Sequence, residues 1–367
     1  MTKRSWLLLT AGVLCACSDI PTALHEDSAS SAVGPTVMTR NIYLGADLNP
    51  VLNVSSPQQI PVAAAGVWAM VQATNFPARA VALADEIARE RPHLIGLQEV
   101  ALYQLQSPGD AAFGGGVAAS DVAYDYLAIL LDALGARGLD YVPVAVTTNT
   151  TIEVPVYTGQ APIPFDDVRF TMRDVILARA DVSTSNPAGA SYTARLNIPI
   201  GGAGGPPVSL RRGWASIDAN VAGRAFRFFT THLEVQVFAP LQQAQASELI
   251  GLVNASSLPV IVVGDFNSAA DGSQTPTYGM LTGAGLEDRW SKDGDPGYTC
   301  CHAHDLTNTT PTLDQRLDII FTRGFGAVVG QPKMVGDKVD DLQRYGLWPS
   351  DHAGVVAQLR LPPGHNR

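Results

Sequence analysis

The chain has 367 residues, 46% of them hydrophobic and 16% charged, which excludes a disordered polypeptide and supplies ample material for a core. Its formal net charge of -10 excludes nucleic-acid binding through a globally basic surface, and 34 Gly with 25 Pro favour strands and loops over a helical bundle. A local basic groove stays open.

Lys3 and Arg4 precede an apolar run from Trp6 to Leu14, the layout of a secretory signal and too short for a permanent membrane span. The segment Leu14-Cys15-Ala16-Cys17 resembles a bacterial lipobox. That resemblance implies removal of residues 1–16 and lipid on the Cys17 thiol; with Ser18 following, it implies an outer-membrane or cell-surface location. An ordinary cleavable signal is the alternative. Residues 17–35 have the composition of a tether, a single domain is expected over 36–362, and 363–367 form a tail.

Val37 to Tyr43 alternates like a first strand and sets Asn41 near its end. Phe76, Ala80, Leu83, Ala84 and Ile87 are spaced as one helix face from Phe76 to Glu90, with Pro77 in the first turn and Arg91-Pro92 as the stop. His93 to Val100 reads as a buried strand ending at Glu99. Residues 103–120 read as a Gly-rich loop and Asp121 to Ala136 as a second helix. Strand-type runs follow at Tyr141 to Thr147, Ile152 to Tyr157, Val168 to Ala180, Arg212 to Ala219 and Arg224 to Thr231, with a long loop insertion over Asn186 to Pro207. Between Arg169 and Arg227 stand eight Arg and three Asp, without Lys or Glu. Guanidinium groups suit phosphate, but basic groups also protect strand edges.

Pro240 to Val253 has helical character, and the stretch from Val260 to Ser268 follows as a buried strand. Its β-branched run breaks at Gly264 and delivers Asp265 and Asn267 to a strand end, where backbone would hold them rigidly. A strand followed by an Asx turn is the plainer reading. Thr275 to Leu281 suggests a short helix, Gly285 to Thr312 an irregular loop, and Arg316 to Phe321 a strand. A hairpin through Lys333 then leads by way of Trp348 to Ala353 into a last strand, Val355 to Leu361. Cys300 and Cys301 are adjacent, which disfavours a bond between them and favours free thiols. His302 and His304 close behind suggest a soft-metal site, against an adjacency that is poor spacing for one ion.

Asn41, Gln98-Glu99, Thr231-His232-Leu233, Gly264-Asp265-Phe266-Asn267, Arg316-Leu317-Asp318 and Ser350-Asp351-His352 thus all fall at strand ends. Converging in one crevice, they would supply hard oxygen ligands, a base for water and cationic donors, the parts of metal-assisted phosphate hydrolysis. Singly, each has a structural reading: Glu99 caps a loop, His232 is a satisfied core histidine, Asp318 bonds turn amides.

In this order the set resembles the endonuclease/exonuclease/phosphatase superfamily, with Leu-Gln-Glu, Gly-Asp-Phe-Asn and Ser-Asp-His as its specific elements. The resemblance implies an α+β fold, a four-layer α-β-β-α sandwich of two packed mixed sheets with the site at one end. It implies Glu99 as metal ligand, Asn41 beside it on metal or phosphate, and Asp351 within reach of metal. Asp265 would position or deprotonate water, Asn267 would orient phosphate, and His352 would pair with Asp318. His232 resembles the second histidine of the DNase I-like and sphingomyelinase-like branches, a leaving-group acid or phosphate donor with Glu153 or Asp174 as orienter. Arg173 resembles a phosphate-contacting arginine. The implied cation is Mg²⁺, with Mn²⁺ or Ca²⁺ as alternatives. The chain lacks the Asn-x-Asp or Asn-Val pattern after Asn41, which leaves the part of Asp47 open. Thr299-Cys300-Cys301 replaces the Thr-Trp or Thr-Phe of relatives, which argues against base stacking.

The expected activity is hydrolysis of a phosphoester, a diester ahead of a monoester, on a lipid, a small molecule or extracellular DNA. Membrane contact would come from lipid on Cys17, and no obligate protein partner is inferred. The alternatives are a catalytically silent surface-binding module on the same fold and a zinc protein centred on Cys300 to His304.

Overall fold

The computed structural model describes residues 33–361 apart from 203 and 291–293. The signal segment, the lipobox with Cys17, the tether up to residue 32 and the 363–367 tail lie outside the described residues. Strand β1 (Val33–Asn41) precedes helices α1 (Asn49–Leu52), α2 (Ile60–Ala73) and α3 (Phe76–Glu90), strands β2 (Leu94–Gln98), β3 (Leu102–Gln106) and β4 (Asp121–Asp125), and helix α4 (Tyr126–Gly135). A run of strands follows: β5 (Tyr141–Tyr157), β6 (Phe165–Arg179), β7 (Ser183–Ser191), β8 (Leu196–Pro199), β9 (Pro207–Leu210), β10 (Gly213–Val221) and β11 (Arg224–His232). The remainder is α5 (Ala239–Asn254), β12 (Val260–Asp265), α6 (Thr277–Gly283), β13 (Glu287–Asp288), β14 (Asp318–Arg323), β15 (Lys333–Val335), α7 (Val339–Tyr345) and β16 (Gly354–Arg360).

One sheet runs β15-β16-β1-β2-β6; β2 and β3 share one edge of the long β6 while β5 takes the other. The second sheet runs β13-β14-β12-β11-β10-β7. Each contains one parallel pair, β1 with β2 and β11 with β12, so both are mixed.

Side-chain alternation assigns the layers. On β12, Val260 and Val262 pack with Leu249 and Val253 of α5, while Ile261 and Val263 pack with Val37, Leu94 and Val355 of the other sheet. Across β1 and β2, Met38, Ile95 and Leu97 turn the opposite way, onto Leu83 and Ile87 of α3 and Leu130 of α4. The result is a four-layer α-β-β-α sandwich. Gly96 lies where the sheets approach closely: a Cβ there would lie 2.3 Å from Val263 Cγ2 and 2.6 Å from Thr230 Oγ1.

Several expectations are corrected. The loop expected over 103–120 includes most of β3, and the helix expected from Asp121 starts at Tyr126, because Asp125 caps it by accepting from the backbone N–H of Leu127 and Ala128. The two runs at 141–147 and 152–157 are one strand, β5, with an irregularity between Thr148 and Thr151. The insertion expected over 186–207 carries β7 and the β8-β9 hairpin instead; β7 pairs with β10 through backbone groups while most of its side chains stay exposed. Among the described residues no helix is long and apolar enough to cross a membrane.

Candidate active site

The alternation that buries the core also aims the polar strand ends. On β1, Val37, Thr39 and Asn41 share one face, and on β12 Asp265 continues the series of Ile261 and Val263, so both polar residues point between the sheets. Register sets them level: Asn41 lies opposite Gln98, His232 opposite Asp265, and Asp265 opposite Asp318. Side chains then bridge the sheets, Asn41 Nδ2 donating to Asp265 Oδ2 at 3.2 Å and Gln98 Nε2 to Thr230 Oγ1 at 2.8 Å.

His352 precedes β16 and faces this row. Its Nδ1 is 2.8 Å from Asp318 Oδ2 and its Nε2 is 3.8 Å from Asp265 Oδ2. Burial disfavours a charged imidazole here, but the carboxylates of Asp318, Asp265 and Asp351 override it and hold His352 well above its ordinary pKa. His232 is the opposite case. Burial first, then Arg212 and the cationic His352, push it well below the ordinary value, so it is neutral. Arg212 Nη1 lies 3.0 Å from both its ring nitrogens, Asn267 Nδ2 3.1 Å and Asp265 Oδ2 3.5 Å from its Nε2. Asp265, raised by burial against the pull of His352, therefore sits between one cationic and one neutral imidazole. Asn267 reaches His232 from a left-handed turn (φ 48°), in which its backbone N–H donates to Asp265 Oδ1 at 2.9 Å.

Glu99 follows β2 with φ 59°, which releases it from the strand's alternation; its Oε2 accepts from Leu44 N at 2.8 Å. Asp351 is buried, and its carboxyl is pushed up to about 6 by burial, with Glu99 adding to the rise and His352 opposing it. A buried carboxyl raised in this way beside a second carboxylate forms a donor set that a hard divalent cation would relieve. Asp318 Oδ1 is also buried without a partner, and Asp265, Asp318 and His352 each place a ligand atom within 4.8 Å of the others. The residues present fit a divalent cation.

Other expected residues stand elsewhere. Arg173 is turned to the carbonyls of Val100 and Ala101 and to Asp125 Oδ1 at 2.6 Å, so it braces the turn after Glu99 where a phosphate contact was expected. Glu153 accepts from Ala119 N and Asp174 from Asn149 Nδ2; Arg212 and Asn267 face His232 in their place. Asp47 accepts from Asn49 N at 2.9 Å, with His304 Nε2 3.9 Å from its other oxygen. Cys300 and Cys301, expected as thiols, are joined as a disulfide. Their backbone is dictated by the strand-like pairing of Cys300 with Gln315 and His352, which overrides what the dipeptide alone prefers.

Two buried arginines went unread in the sequence. Arg40 Nε donates to Glu86 Oε2 at 2.9 Å, and its Nη1 donates to the carbonyl of His352. Arg79 Nη1 donates to the carbonyls of Ile42 (2.7 Å) and Pro349 (3.0 Å), clipping the segment after Asn41 to the one before Ser350. The signal was present: Arg40 lies between Met38 and Ile42 on an apolar face, and Arg79 and Glu86 interrupt the apolar stripe of α3.

The sequence profile of the Endonuclease/Exonuclease/phosphatase family matches residues 67–352, most of the described chain. The chain belongs to this family. Its members are phosphoesterases that generally depend on a divalent metal. No curated protein matches the sequence closely enough to report. Among solved structures, an endonuclease/exonuclease/phosphatase from Beutenbergia cavernae DSM 12333 is similar with a TM-score of 0.52 and 19% identity, over 90% of this chain and 72% of that one. A family protein from Leptotrichia buccalis C-1013-b has a TM-score of 0.50 and 16% identity, over 89% of this chain and 99% of that one. One from Bacteroides vulgatus has a TM-score of 0.50 and 15% identity, over 90% of this chain and 100% of that one. At such identities these likenesses speak to the fold.

Proposed function

We propose that this family member hydrolyses a phosphodiester in the cell envelope, by in-line attack of water assisted by Mg²⁺ or a similar hard cation. The observation that carries the reading is the placement of Asp265 Oδ2, 3.8 Å from His352 Nε2, 3.5 Å from His232 Nε2 and 3.2 Å from Asn41 Nδ2. Glu99 and Asp351, with the Asn41 amide, would hold the cation. When bound, it neutralises charge on the phosphoryl oxygens.

Asp265 accepts the proton of the attacking water; its raised pKa makes it a stronger base than an exposed aspartate. His352, kept cationic by Asp318, sets positive charge beside the phosphoryl group. His232 is neutral, so we assign it and Asn267 to hydrogen bonding with phosphoryl oxygen rather than to protonation of the leaving group. Arg212, held against His232, supplies the guanidinium expected of Arg173. A diester with one negative charge suits a site with one such arginine better than a dianionic monoester does. The lipobox-like segment supports an envelope location with lipid on Cys17, and the acidic chain favours a lipid or small diester over DNA.

Release of p-nitrophenol from bis-p-nitrophenyl phosphate, compared with p-nitrophenyl phosphate, sphingomyelin and duplex DNA, tests the proposal. The expected order places a diester first, with activity in Mg²⁺ and none in EDTA. Equal rates in Mg²⁺ and EDTA, or turnover confined to the monoester, would overturn it.

A further inference from the structure

The side of His352 away from Asp318 meets sulfur as well as carboxylate. Cys300 lies opposite His352 in an antiparallel bridge, and Cys301 Sγ is 3.9 Å from His352 Nε2. Cys300 is buried against Ala269 and Leu317, while Cys301 is exposed at the rim. Both sulfurs and a His352 ring nitrogen fall within 4.8 Å of one another. The histidines adjacent in sequence do not complete this group: the His302 ring stacks on Trp348 at 3.8 Å with its Nδ1 3.1 Å from Asn308 Nδ2, and His304 points to Asp47.

Two thiolates and an imidazole select a soft or borderline cation such as Zn²⁺, whereas the oxygen-rich Glu99 and Asp351 side selects a hard one. While the sulfurs are bonded to each other the soft set is closed. We propose that Cys300, Cys301 and His352 form a redox-gated site for a soft divalent cation, opened by a thiol reductant, and that its occupation by Zn²⁺ switches off hydrolysis. Only the last clause rests on the phosphoesterase reading.

The opening step balances. Two reductant thiols supply two electrons, the Cys300–Cys301 bond breaks, a reductant disulfide forms, and the two thiol protons end on the cysteine sulfurs. Cation binding releases those two protons and the proton of His352 Nε2 to solvent, because thiolates and an unprotonated ring nitrogen are the ligands. The Asp265 and Asp318 carboxylates favour positive charge at this place, and a cation on Nε2 takes the ring nitrogen that faces Asp265.

The test uses the full chain, untreated or reduced with dithiothreitol and desalted under argon, titrated with Co²⁺ as a spectroscopic probe. A sulfur-to-cobalt charge-transfer band is expected in reduced wild type and absent from untreated protein and from reduced Cys301→Ser, which keeps Cys15 and Cys17 as internal controls. The same band in Cys301→Ser, or none in reduced wild type, would overturn the site; alkylation of reduced wild type with iodoacetamide should abolish the band without any substitution. The regulatory clause is read as the ratio of diester hydrolysis in Mg²⁺ with and without Zn²⁺, each protein against itself. This ratio should fall about tenfold or more in reduced wild type relative to untreated wild type, and equal ratios would overturn that clause. If no form hydrolyses any diester, the phosphoesterase reading fails, and the Co²⁺ titration still decides the site.

Discussion

Asp318 and His352 meet at 2.8 Å, Oδ2 to Nδ1, with the carboxylate fully buried and the histidine side chain only 7% exposed. A carboxylate in that position fixes the imidazole tautomer and favours its protonated form. Asp318→Asn keeps the shape and removes the charge. We expect kcat to fall about 10² to 10⁴-fold. Because His352 is held above its ordinary pKa by this carboxylate among others, the alkaline limb of the pH–rate profile should also move to lower pH. An unmoved limb would mean that the pair is structural.

The proposed assignment of Asp351 to the cation makes metal binding pH-dependent with a definite sign. Its folded-state pKa is raised to about 6, so the fold favours its protonated form and loses stability as pH rises through that value. A cation removes that cost, whereas a proton competes with it. Saturating Mg²⁺ should therefore stabilise the protein by about 2 to 3 kcal/mol at about pH 8 and by clearly less at about pH 5. Thermal melts at both pH values check this, and equal shifts would contradict it.

The Arg40–Glu86 pair is buried to 1% and 2% exposure and holds the His352 carbonyl as well. Glu86→Gln leaves a buried guanidinium without its counter-charge, which should cost about 3 to 5 kcal/mol in urea denaturation. Replacing both, as Arg40→Met with Glu86→Leu, should recover most of that stability yet still lower kcat, because the His352 carbonyl loses the Arg40 N–H that donates to it. A double variant with wild-type kcat would remove Arg40 from the positioning of the site.

Gly96 tests the packing of the two sheets. An added methyl meets Val263 Cγ2 at 2.3 Å and Thr230 Cβ at 2.9 Å, so Gly96→Ala should destabilise by about 1 to 3 kcal/mol. Combining it with Val263→Ala should give less than the sum of the single losses. Strict additivity would contradict the contact.

How much was legible in the sequence follows from which forces write themselves locally. Helix α3 was read to its observed ends, Phe76–Glu90, because apolar spacing, an early proline and Arg91-Pro92 all agree. The four apolar residues of β12 announced burial on both faces, which the packing of alternate residues bears out. Helix α2 escaped notice because Ile60–Ala73 is apolar nearly all round and offers no single stripe. β7 to β9 escaped because backbone pairing needs no apolar side chains, and those of β7 stay mostly exposed. Motif order brought Asn41, His232, Asp265, Asn267, Asp318 and His352 into view, but not what surrounds them. Arg212 reaches His232 because register sets Gly213 opposite that histidine, and register between distant strands is invisible to spacing. The proximity of Cys301 to His352 arises the same way, from a bridge between segments far apart in the chain.

The measurement that bears most directly on the central claim is the initial rate of bis-p-nitrophenyl phosphate hydrolysis by wild type and Glu99→Ala across a Mg²⁺ titration, with EDTA as the zero point. The wild type should be inactive in EDTA and saturate with Mg²⁺, while Glu99→Ala should remain folded and be slower by about 10²-fold or more at the same Mg²⁺. Hydrolysis by Glu99→Ala at the wild-type rate, or a wild-type rate indifferent to EDTA, would contradict a metal-dependent phosphodiesterase built on this site.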